Sequence, residues 1–186
     1  MQRWNWIRGA LVMALVLGVT AGPWGEVAEA QADEFETVEV TMIACRIVSD
    51  EMVMGDGAVH VRRRVLVARM LTDDPYIAGT ATVVSNMDFV PATGRAVLQG
   101  FIENRPDAVD GFWSGSFAMV TDEAGQRGWH VAQGNGPDLL GLYFEATVRQ
   151  LPPTVVAEYA WACGGEAPIS GSVATGKMAR LQPDAP

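Results

Sequence analysis

The sequence predicts an all-β protein: an antiparallel up-and-down barrel of about eight strands, with a β-sandwich as the alternative, behind an N-terminal signal peptide. Three observations predict it. Short runs rich in Val, Ile, Thr and Phe recur along the chain, clusters of Gly, Pro, Asp or Asn separate them, and helical periodicity is lacking after residue 33. A closed barrel would also remove the exposed edges that so many adjacent strands otherwise leave.

The leader comes first. Arg3 and Arg8, with no acid among the first eight residues, precede the apolar run Ala10 to Val19. That is the length of a signal-peptide core and about half of what a membrane-spanning helix needs. Gly22-Pro23 ends the run, and the small-x-small sites Ala28-Glu-Ala30 and Ala30-Gln-Ala32 follow. Residues 1–32 are therefore read as a signal peptide, 33–180 as a single barrel domain and 181–186 as a flexible tail. The alternative is an uncleaved amphipathic N-terminus. The expected location is secreted or periplasmic.

The strands follow in order. Thr37 to Val48 is the first, and Ser49 to Gly57 reads as an irregular link. Val59 to Leu71 is the second, with Val59, Val61, Arg63, Val65, Val67 and Arg69 on one face. Asp73-Asp74-Pro75 is a turn, because Pro75 pushes Asp74 out of the helical region. Ile77 to Phe89 and Arg95 to Glu103 form a hairpin about Pro91-Ala-Thr-Gly94, and 104–111 is a loop. Phe112 to Thr121 is the fifth strand; Trp113, Gly115, Phe117, Met119 and Thr121 share one face. Trp129 to Gln133 and Leu139 to Val148 are the sixth and seventh, separated by the turn at 134–138. Val155 to Ala162 or Ile169 to Thr175 supplies an eighth.

Thirteen Lys and Arg against twenty-two Asp and Glu, a net charge of −9, leave no basic surplus for phosphates, so nucleic acid and anionic lipid are excluded as partners. The leader carries two charges of each sign, so the whole excess belongs to the mature domain. In an exported protein the two cysteines, Cys45 and Cys163, read as one disulfide. His60 and His130 show no ligand spacing with either, so no metal site and no cofactor are expected.

The stretches Gly111-Phe-Trp-Ser-Gly-Ser-Phe117 and Gly128-Trp-His-Val-Ala-Gln-Gly-Asn-Gly136, with the strand Leu139-Leu-Gly-Leu-Tyr-Phe144 after them, resemble the allene oxide cyclase-like and dirigent-like barrels. Thr72 to Thr82 and Pro91 to Gly94 are similar to exported bacterial proteins of unassigned function with this barrel. The likeness spans residues 59–148 and lies mostly in turn chemistry. It implies an eight-stranded antiparallel barrel with an apolar mouth, in a family that includes isomerases, cyclases and proteins that steer radical coupling. No catalytic residue of those enzymes maps onto a position here, and a shared fold does not transfer function.

The chemistry-bearing residues each have a bland reading. Arg62, Arg63, Arg64 and Arg69 suggest an anion site or an ion-paired face; among inward valines, Arg63 or Arg69 would be a functional candidate. His60 and His130 are acid/base candidates or ordinary strand residues. Glu103, Arg105, Asp107 and Asp110 crowd a presumed rim. Asp73-Asp74 and Asp122-Glu123 lack the alternating oxygen ligands of a calcium loop. No Gly-x-Ser-x-Gly elbow, phosphate loop or zinc motif occurs. Trp113, Phe117, Trp129 and Tyr143 are the candidate ligand-lining aromatics. The function expected is a secreted module binding a small apolar ligand or a partner surface, a second copy of the chain among the partners considered. The alternative is a cofactor-free isomerase or cyclase using Arg63, Glu103 and His130.

Overall fold

The computed structural model describes residues 36–180; the signal peptide and tail read from the sequence fall outside them. The domain is a closed antiparallel barrel of eight strands joined in sequence order. These are β1 (Glu36–Gly55), β2 (Ala58–Leu71), β3 (Gly79–Val90), β4 (Arg95–Pro106), β5 (Phe112–Asp122), β6 (Gly125–Asn135), β7 (Leu142–Gln150) and β8 (Ser170–Arg180). The barrel closes where β1 pairs with β8, from Glu36 opposite Met178 to Ala44 opposite Ser170. Among the described residues no helix is long and apolar enough to cross a membrane.

Several elements differ from the sequence reading. The segment read as an irregular link continues β1 to Gly55, and Asp56-Gly57 closes a two-residue hairpin with both residues at positive φ, as a type I′ turn requires. Residues 155–162 are not a strand: Pro152-Pro153 start a short helix, α1 (Pro153–Ala157), and a 3-10 turn (Ala160–Cys163) follows. The eighth strand is therefore the later candidate. Ile77, Ala78 and Leu139 to Gly141 lie outside the strands.

The most consequential difference is in β2. Val61 pairs with Met87 and Arg64 with Ser85, so Arg62 and Arg63 together face one residue of β3. Arg63 sits at φ 47 and donates its backbone N–H to the Asn86 side chain at 2.9 Å. This bulge shifts side-chain parity by one. Beyond it Arg64, Leu66, Ala68 and Met70 face inward, while Arg63 and Arg69 face out in ion pairs, the ion-paired of the two readings the sequence left for them. Further register shifts in β1 free Cys45, Val48 and Asp50 from pairing with β2.

One end of the barrel is filled. Trp113, Phe144, Ile102 and Met70 pack there with Ile77 and Leu139, which the β2–β3 and β6–β7 loops fold inward. Asn104 donates to the Ile77 carbonyl at 2.7 Å, and the Trp113 indole N–H donates to the Tyr76 carbonyl at 2.7 Å. The β6–β7 loop lies so close to the β4–β5 loop that a Cβ on Gly136 would sit 2.8 Å from the Gly111 Cα. On the outer face of β1 and β8, Ile43 and Val173 are buried under Leu151 and Val156 of the β7–β8 connection. The Cys45–Cys163 disulfide pins that connection to β1, as the cysteine arithmetic predicts.

Candidate functional site

The opposite half of the barrel is not filled. Between the packed end and the β1–β2, β3–β4 and β5–β6 turns lies a cavity of about 340 Å³, within the size range of small-molecule sites. Its walls come from strand alternation. Met42, Leu66, Met87, Leu98, Phe117 and Met119 present the apolar surface, and Ser85, Ser172, Gln126 and Gln150 add polar groups. These five methionine and leucine side chains, from five different strands, give an adaptable lining. Arg64 and His130 supply its basic groups.

Register explains how these groups meet. Pairing runs laterally from Arg64 to Ser85, Gly100, Phe117, His130, Ala146 and Gly176 around the inner surface. Small residues in the wall, Ala44, Ser85, Ser172 and Ala174, leave space, and Gly115 makes room for the His130 ring. A Cβ at Gly115 would lie 2.9 Å from His130 Nε2 and 2.3 Å from the Val131 carbonyl. The imidazole therefore lies over a strand position that tolerates no side chain.

His130 is 8% exposed, touches Phe144 edge-on at 5.8 Å, and leaves Nε2 buried without a hydrogen-bond partner. Burial disfavours the imidazolium and pushes the pKa down to about 4, so the ring is neutral at pH 7. Arg64 Nη2 donates to Asp50 Oδ2 at 3.2 Å, whereas its Nε is buried with no partner. Two unmatched polar atoms thus belong to side chains of one apolar cavity.

The pKa shift makes a stability prediction. Above pH 6.5 neither folded nor unfolded His130 is charged; below it the unfolded chain takes up a proton that the folded chain refuses. Stability is therefore intact above pH 6.5 and falls as the pH drops to about 4, the His130 share reaching about 3 kcal/mol. Urea unfolding of wild type and His130→Leu across this window should show the wild type losing stability more steeply. Parallel curves would refute it.

Of the sequence-derived candidates, the cavity takes in His130 and Phe117. Arg63 is on the outer side of the bulge, its side chain 82% exposed and paired with Glu51. Glu103 faces outward in an ion pair with Arg105. Trp113 belongs to the packed end, 4% exposed. Tyr143 and Glu103 line a shallow outer concavity of about 610 Å³ with Phe101 and Val131, and Trp129 is half exposed on the same outer surface. The alternation on β5 places Trp113, Phe117 and Met119 inward together, as read from the sequence. The sequence reading named Arg64 only as one of a run of arginines, and it missed Met42, Met87 and Leu98. For the last two, the period-two pattern through Val83 and Ile102 was an available signal.

His60 acquires a partner that no local reading could supply. Its Nδ1 lies 2.7 Å from Asp88, which Arg62 also contacts. The hydrogen bonds from His60 and Arg62 hold the Asp88 carboxyl below the usual carboxylate range. Among the described residues no group of three or more His, Cys, Asp and Glu is placed to hold a metal ion.

Fold and cavity together define a closed eight-stranded barrel with one filled end and one small, mostly apolar chamber. No protein-family model matches the chain, and no curated protein matches it.

Proposed function

We propose that this protein binds one small, predominantly apolar molecule inside the barrel. The observation that carries the reading is the 340 Å³ chamber, walled by methionine, leucine and phenylalanine, with Arg64 and His130, each carrying one buried unmatched nitrogen, also in its wall. A barrel this size packs solid when its inward residues are large throughout; here the small inward residues Ala44, Ser85, Ser172 and Ala174 leave room. The disulfide supports work in an oxidising compartment, outside the cytoplasm. The likeness to allene oxide cyclase-like and dirigent-like barrels stays part of this proposal, as a family whose barrels have apolar mouths.

Calorimetric titration with octan-1-ol tests the reading. One saturable site is expected, and Leu98→Trp, which fills the chamber, should weaken it more than about tenfold while the thermal transition stays cooperative. Arg63→Gly, on the outer bulge, should leave affinity unchanged. Equal affinity in Leu98→Trp, or no saturable site in the wild type, would sink the proposal.

A second reading, a cofactor-free isomerase or cyclase, draws on one observation: the buried, unpartnered Nε2 of His130 in the chamber. A pKa of about 4 makes that imidazole a weak base at neutral pH, so shape and orientation would supply most of the rate.

A further inference from the structure

Resting on the ligand-binding reading, we infer that the molecule is a small monocarboxylate whose carboxylate meets Arg64 and whose apolar body lies among Leu66, Leu98 and Phe117. Arg64 is the one charged residue in the chamber wall among the described residues. The β2 bulge puts it there; with regular pairing Arg63 would take the place opposite Ser85. An inward arginine that served stability alone would have its donors matched. Asp50 takes Nη2, but the Nε–H is buried and unmatched, and an unmade bond from a cation is among the more costly omissions in a protein.

The donor inventory narrows the ligand. A guanidinium has only donors, so its complement is an acceptor, and a cation or amine is repelled. A carboxylate presents two acceptor oxygens to the Nε and Nη edge, the arrangement in which arginine gains most over other donors. His130 adds a second buried nitrogen without a partner, and its neutral ring places no competing charge in the chamber. In the tautomer protonated at Nε2 it donates to the same class of oxygen. Size supplies a further limit. A chamber of 340 Å³ corresponds to roughly a dozen water volumes, which suits a medium-chain or aryl acid of about that many heavy atoms. Asp50 and Arg64 side chains are 32% and 22% exposed, so the pair stands at the opening and Asp50 competes with the incoming carboxylate.

The test titrates the full-length protein at pH 7 with sodium octanoate, octan-1-ol and octylamine. Octanoate should bind about tenfold more tightly than octan-1-ol, the difference expected of one charge-assisted bond, and octylamine most weakly. Arg64→Met should remove the preference for octanoate while leaving octan-1-ol within about twofold. Asp50→Asn, which keeps Arg64 and removes the competing negative charge, should tighten octanoate. Thermal unfolding of each variant checks folding, and should Arg64→Met fail to fold, Asp50→Asn decides. Equal binding of octanoate and octan-1-ol, an octanoate preference that survives Arg64→Met, or no gain in Asp50→Asn would overturn the carboxylate inference and leave the apolar-ligand reading standing. No binding of any of the three would overturn both.

Discussion

Reducing the Cys45–Cys163 disulfide is expected to cost the domain several kcal/mol, up to about 5 by chain-entropy arithmetic for a separation of 118 residues. The bond closes a loop that contains nearly the whole barrel, so the unfolded chain loses a large share of its freedom when the bond is present. A native-state contribution adds to this. The cystine holds the β7–β8 connection over Ile43 and Val173, both buried on the outer surface. In a domain of this size the loss corresponds to a fall in Tm of about 10–20 °C. Thermal unfolding with and without reductant measures it. The double variant Cys45→Ser, Cys163→Ser should match the reduced wild type and gain no further sensitivity to reductant. Transitions within a degree or two of the oxidised protein would show that the bond merely decorates a barrel held by other forces.

Trp113→Ala is expected to destabilise by about 3–5 kcal/mol, the ordinary range for truncating a buried tryptophan. Trp113 fills the packed end, meets Phe144 edge-on at 6.5 Å, and hydrogen-bonds the Tyr76 carbonyl from within the β2–β3 loop. Removing it opens a void and leaves that carbonyl unmatched. Trp113→Phe keeps much of the volume but not the bond, so it should cost about 1–3 kcal/mol. Urea unfolding of the three proteins orders them. Octan-1-ol affinity should change little in Trp113→Phe, because Trp113 lies outside the chamber wall. If instead affinity collapses while stability holds, Trp113 lines the ligand site and the division between filled and open ends is wrong.

Much of the fold was legible because strands and turns announce themselves locally. Alternation along Phe112 to Thr121 assigned both faces of β5, and Gly94 at φ 64 ends the turn that Pro91-Ala-Thr-Gly94 predicts. Asp56-Gly57 was equally legible as a hairpin turn, and reading it as part of an irregular link missed a strong local signal. The helical turn at 153–163 was harder. Val155 and Val156 have strand propensity, and what makes them helical is the Pro152-Pro153 start together with burial of Val156 against Ile43 and Leu151 across the chain.

The site divides in the same way. By its sequence alone this chain determined that it would be all-β, about how many strands it would have and which cysteines would join. Each follows from composition, period or turn chemistry, which act over a few residues or over the whole chain at once. Only the tertiary structure decided which arginine enters the barrel. Arg62, Arg63 and Arg64 are adjacent and alike, and a single bulge, fixed by Asn86 from the next strand and by the left-handed backbone at Arg63, sends Arg64 inward and its neighbours out. A side-chain period of two makes every such choice depend on one extra residue. That dependence is resolved only when the neighbouring strand is in place.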